Sequence, residues 1–161
     1  MCGFFSAVYY MEKIYIPIGC DCEATYWCRK NDFRKDAYPF DWLVSPLSSI
    51  CDVIKNDFVG FLEEPYILRT NHKQLYIDKG KRMLLTHVYC KKSKLFFIHD
   101  FKSRNCFKFE LNQVRDKFNR RIQRFKDVCN STNEVIFVCY KSTNHTHTEI
   151  INNQLTNTLL D

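Results

Sequence analysis

The sequence is poor in the residues that build loops. Its 161 positions hold only 4 Gly and 4 Pro, too few for a fold assembled mainly from turns. No apolar run is long enough to span a bilayer: Gly3 to Tyr10 is apolar but about half the length a spanning helix needs. No basic region precedes it, which argues against a signal peptide. None of the nine cysteines stands in a C-x-x-C pair, so zinc-knuckle and dithiol redox motifs are missing. Their odd number and the lack of a leader also argue against a secreted disulfide scaffold. The formal charge of +6 is too small to mark a dedicated nucleic-acid binder.

What is present is ordinary globular material, 45% hydrophobic and 26% charged, with 14 Phe and 9 Tyr. The length fits one domain and is enough to bury a core without metal or disulfide support. The aromatic content points to a core packed from rings. Most of the thiols read as reduced, several buried as small hydrophobes, so a reducing compartment is expected, the cytoplasm. Met11 looks like the opening of the domain proper, with residues 1–10 an extension and 11–161 a single domain that ends soon after its last helix.

Along the chain, 13–18 (KIYIPI) is a β-branched and aromatic run that stops at Gly19, the pattern of a buried strand. A helix is expected over 22–31, so the turn at Gly19 delivers Cys22 to a helix start. A loop over 32–45 carries Pro39-Phe40-Asp41-Trp42. Pro46 opens a helix over 46–58 with Leu47, Ile50, Val53 and Ile54 at helical spacing. Short strands are expected at 74–78, 82–90 and 94–99. The clearest helix is 111–129, where Leu111, Val114, Phe118, Ile122, Phe125 and Cys129 recur every three or four residues. Arg115, Arg120, Arg121, Arg124 and Lys126 occupy its other positions. A strand over 135–140 follows. Thr146 and Glu149 have capping-box spacing for a last helix bearing Ile150, Ile151, Leu155 and Leu159. The order predicts an α/β or α+β fold, one mixed-sheet domain with flanking helices.

Cys22 at a helix start matters chemically. A thiol attacks as thiolate, and the unpaired N–H groups of a helix N-terminus favour that form. Those same groups are candidates for an oxyanion hole. Against this stands the bland reading, in which one of nine cysteines falls at a helix start by chance.

Four separated segments add to the case: Ile18-Gly19-Cys20-Asp21-Cys22, Ala37-Tyr38-Pro39-Phe40-Asp41-Trp42-Leu43, Phe97-Ile98-His99-Asp100-Phe101, and Arg120-Arg121-Ile122-Gln123-Arg124-Phe125. Together they resemble a family of bacteria and large DNA viruses catalogued as putative papain-like cysteine peptidases. The resemblance spans roughly residues 13–140. It implies a cysteine hydrolase, a peptidase or a related acyl-transfer enzyme, with Cys22 as nucleophile and His99 as base. In that family the Cys is usually preceded by Asn; here it is preceded by Asp21, and an acidic neighbour raises a thiol's pKa.

A base at a strand end meeting a Cys at a helix start is the papain-like arrangement, and His99 is expected to emerge at such an end. His87, inside another apolar strand, is the rival base. Asp41 is the candidate third member, or else a cap for helix or loop N–H groups. Asp100 directly follows His99 and so points to the opposite face of a regular strand. In papain-like enzymes the orienting group follows the His on a neighbouring strand; Lys141, Ser142 and Asn144 lie where that would fall, and none matches a family motif.

No cofactor is implied. The expected substrate is a peptide or another acyl compound, and neither membrane nor nucleic acid is an expected partner. The alternative is an inactive relative that serves as a binding protein for a host or viral partner. A metal site from Cys20, Cys22, Cys28 and His99 would use C-x-C-x5-C, which is not a standard structural zinc spacing. The basic positions of 111–129 read as a solvated helix face.

Overall fold

β-Branched and aromatic residues favour extended backbone, and the first strand, β1, forms at Lys13–Pro17. The computed structural model describes residues 11–19, 21–78, 80–102 and 106–139. After β1 come α1 (Glu23–Lys30), β2 (Leu43–Val44) and α2 (Leu47–Lys55). Three antiparallel strands follow: β3 (Ile67–Asp78), β4 (Lys81–Cys90) and β5 (Leu95–Lys102). The long α3 (Phe107–Cys129) and β6 (Glu134–Val138) complete the described elements. The anticipated C-terminal helix lies outside the described residues.

The mixed α/β class holds, and the strands sort into two sheets. β1 pairs with β6 in parallel, while β2-β5-β4-β3 form an antiparallel sheet. The parallel pair is reached through a crossover that includes α3, since parallel neighbours cannot be joined by a tight turn. β3 is longer than the 74–78 run suggests because its first half, with Arg69 and Lys73, breaks the alternation.

The core is built from rings. Phe97, Phe101 and Phe118 are fully buried, and the Phe61, Phe97 and Phe118 rings meet pairwise at 5.2–5.6 Å. Phe40 and Phe58 close on Phe125 at 6.0 and 5.7 Å. The apolar stripe of α3 faces inward over most of its length: Leu111, Val114, Phe118 and Phe125 are buried, Ile122 is half-buried against the same cluster, and Cys129 at the helix end is exposed. In α2, Ile50 and Val53 are buried but Leu47 at its start is exposed.

One irregularity positions the site. Val88 pairs with Phe97 and Thr86 with Phe101, so residues 98–100 of β5 stand opposite His87 alone. On the other side, Arg69 pairs with Val88 and Lys73 with Thr86, so 70–72 of β3 also face His87. Both strands flanking β4 bulge at one level. Bulges re-aim side chains and are common beside functional sites. His99 is therefore in the interior of β5, at its bulge, and not at the strand end that the sequence suggests.

Candidate active site

α1 begins immediately after Cys22, which is its N-cap residue. The Cys22 carbonyl accepts the Tyr26 N–H at 2.9 Å, the first turn of the helix. Just before it, Ile18 donates to the Val138 carbonyl at 2.8 Å, extending the β1–β6 pairing to the edge of the turn. Strand, turn and helix start thus deliver the thiol where the sequence pattern puts it.

Cys22 Sγ lies 3.4 Å from His99 Nε2. The bulge in β5 presents the imidazole, and two aromatic rings bracket it. Trp42 meets it edge-on at 6.0 Å between centroids, and Tyr76 of β3 stands at 5.2 Å. His87 is elsewhere: its Nε2 is 3.3 Å from Gln74 Oε1, and the Cys22 sulfur faces His99. Sequence patterning gave no sign of Tyr76, which is an ordinary aromatic in a strand run.

The electrostatics differ from those of an activated thiolate. Burial, then the charges of Asp21, Asp100 and Glu23, push the Cys22 thiol up to about 12. Burial pulls the His99 imidazole below its ordinary value, with Asp100 opposing in part. The pair at neutral pH is therefore a thiol and a neutral imidazole, with Sγ–H the natural donor to Nε2. The helix N-terminus is also partly occupied, because Asp21 Oδ1 accepts the Glu23 N–H at 2.9 Å. Burial and these acids outweigh the pull of an eight-residue helix on a thiolate.

Asp41 is completely buried in its side chain and pairs with Arg34. Arg34 Nη2 and Nε approach the same Oδ2 at 2.6 and 2.7 Å, and Oδ1 has no hydrogen-bond partner among the described residues. Burial raises the Asp41 carboxyl despite Arg34. No hydrogen bond joins Asp41 to His99. What brings this segment to the site is the next residue, Trp42, whose N–H donates to Thr25 Oγ1 of α1 at 3.3 Å. Asp100 pairs with Lys117 of α3.

The basic positions of α3 are structural ties as much as a solvated face. Arg115 Nε donates to the Leu62 carbonyl at 3.2 Å, Arg124 Nη1 to the Ala37 carbonyl at 2.8 Å, and Lys126 pairs with Asp57 at 2.6 Å. The Arg121 guanidinium stacks over Phe118 at 5.1 Å, where Asp100 and Asp41 act on its charge. The four sequence segments thus meet in space: Arg124 and Phe125 hold 37–40, and Trp42 reaches His99, which faces Cys22.

Cys22, Cys28, Cys51, Cys90, Cys106 and Cys129 are free thiols. Among the described residues no cluster of three or more His, Cys, Asp or Glu is arranged to hold a metal. No helix among them is long and apolar enough to cross a membrane. Cys20 and residues 141–144 lie outside the described residues, and with them the four-ligand metal reading and the search for an orienting group after β6.

Comparison with known proteins agrees with the residue motifs. A family model described as "Putative papain-like cysteine peptidase" matches residues 13–159. A protein of Acanthamoeba polyphaga mimivirus, "Uncharacterized protein R408", is 30% identical over 138 residues, covering 79% of this chain. The chain spans 61% of the length of that relative. No solved structure matches the chain.

Proposed function

Because the chain belongs to the family of putative papain-like cysteine peptidases, we propose that it is a cysteine hydrolase in which Cys22 is the nucleophile and His99 the general base. The observation that carries this reading is the 3.4 Å approach of Cys22 Sγ to His99 Nε2, within the loosened range expected of a nucleophile and base without substrate.

With the thiol raised and the imidazole lowered, the pair does not rest as an ion pair. Sulfur attacks the acyl carbon as its proton passes to Nε2, the carbonyl electrons moving onto oxygen. Collapse expels the leaving group, which takes the proton from His99, and leaves a thioester on Cys22. Water, deprotonated by His99, then releases the acid and restores the thiol. The substrate is a peptide or another acyl compound, and a reducing cytoplasm suits a free thiol nucleophile. Asp41 takes a supporting part in this scheme: its buried pair with Arg34 anchors the segment that brings Trp42 to the imidazole.

A second reading has one observation in its favour. The acids around Cys22 and a thiol near 12 suit an inactive relative that binds a host or viral partner. An activated ester separates the two. Incubation with p-nitrophenyl acetate should place a hydroxylamine-labile acetyl group on Cys22, seen by peptide mass analysis, and His99→Gln should slow its formation. If acetyl appears only on exposed thiols such as Cys51, the binding-protein reading stands and the hydrolase reading falls.

A further inference from the structure

We infer that Trp42 is the positioning residue of the pair, tying the helix that carries Cys22 to the strand that carries His99 and holding the imidazole at the sulfur. The inference rests on the reading of Cys22 and His99 as a reacting pair and extends it to a residue outside that pair.

The need for a brace follows from the fold. His99 lies in the stretch of β5 where the ladder to β4 is interrupted, three residues standing opposite His87 alone. Backbone pairing fixes a side chain's direction only where the register is unbroken. The only hydrogen bond of the His99 side chain within the described residues is the one with Cys22. Its orientation is left to its ring neighbours, Trp42 and Tyr76.

Trp42 is fastened to both elements it joins. Its N–H is held by Thr25 Oγ1, a buried residue of α1 one turn from Cys22. Its ring lies edge-on to the imidazole, at 83° between planes. The residue after it, Leu43, pairs with Phe97 of β5, two positions before His99. The residue before it, Asp41, is locked by Arg34 in the interior.

The backbone supplies an independent sign. Trp42 has φ +62°, a left-handed conformation that is costly for a bulky side chain. Such strain persists only where the surroundings over-determine it, and it gathers at sites that need one geometry. Core filling accounts for Phe58 and Leu62, buried residues that also have positive φ, but not for Trp42, which is only half-buried. A glycine would take this φ without cost; the chain instead carries its largest ring there, against the histidine.

The test is a spectroscopic cycle on the full chain, with the His99 imidazole titration followed by NMR. In the wild-type background, Cys22→Ala should move the His99 midpoint, because the neutral ring loses its Sγ–H donor; a shift of about half a unit or more is expected. In Trp42→Gly, which removes the ring but suits the backbone, the same Cys22→Ala change should move His99 little, since the pair is already apart. Trp42→Phe, which keeps an aromatic edge, should restore the coupling. An undiminished Cys22→Ala shift in Trp42→Gly overturns the role of Trp42. If Cys22→Ala leaves His99 unmoved in the wild-type background, the reacting pair itself fails, and that result is separable from the first. Should Trp42→Gly not fold, Thr25→Val removes only the hydroxyl that holds Trp42. A weakened coupling there supports the inference, and an unchanged one overturns it.

Discussion

Cys22 and His99 are 77 residues apart in the chain and 3.4 Å apart at their reactive atoms. The contact joins a helix start fed by the parallel strand pair to a bulge in the antiparallel sheet. Its chemistry is set less by the helix than by burial and acids, and this gives the first prediction.

Cys22 should be a slow thiol. With its pKa near 12 against an ordinary 9.0, the thiolate fraction at neutral pH falls by about a thousandfold. Alkylation by iodoacetamide near neutral pH should therefore label exposed Cys51 well before Cys22, with the Cys22 rate still rising as pH approaches about 12. Preferential labelling of Cys22 at neutral pH would mean that burial and acids do not govern the sulfur.

Asp21 is the neighbour whose charge is easiest to remove cleanly. Its Oδ1 caps the Glu23 N–H, and asparagine keeps an acceptor there. Asp21→Asn should leave helix content unchanged while lowering the thiol's pKa, because the strongest of the charges acting on Cys22 is gone. The alkylation rate of Cys22 near pH 8 should rise about threefold or more. An unchanged rate would mean that the Asp21 charge does not act on the sulfur.

Much of this was readable in the sequence, for physical reasons that differ by residue. Cys22 at a helix start follows from strand 13–18 ending at Gly19, a local pattern. The inward face of α3 follows from spacing that no tertiary contact could disguise. The choice of His99 rests on its motif, since nothing local marks it above His87. Its place inside the strand is not legible, because a bulge has no signature when both strands read as apolar. The early half of β3 was missed for the related reason that bulged residues need not alternate. Asp41 marked an important segment, but an aspartate among aromatics does not announce its partner, and Arg34 sits in an aperiodic loop. The α3 cations looked like a solvated face because helical spacing says nothing of carbonyls such as those of Ala37 and Leu62.

The ring core should dominate stability. Phe118 is fully buried between Phe61 and Phe97, so Phe118→Ala should cost about 3–5 kcal/mol by urea unfolding, as transfer and cavity losses add. Phe109 lies on the same helix but is 63% exposed, and Phe109→Ala should change stability by no more than about 0.5 kcal/mol. Similar costs at the two positions would contradict the assignment of the buried face.

His99 should also make the fold acid-sensitive. Its folded pKa lies below the ordinary 6.5, because burial disfavours the imidazolium. As pH falls below 6.5, the unfolded chain takes up a proton that the folded chain refuses, and the equilibrium moves toward unfolding. The contribution is therefore present in full above the ordinary histidine value and is lost as pH falls toward the lowered one. Asp100 pulls the other way but is itself engaged by Lys117, and Cys22 stays a neutral thiol throughout this range. Urea midpoints measured from about pH 7 down to about pH 5 should fall in the wild type, and fall less steeply in His99→Gln, which has no proton to gain. Identical slopes would mean that another group carries the acid response and that the imidazole is not held neutral at the sulfur.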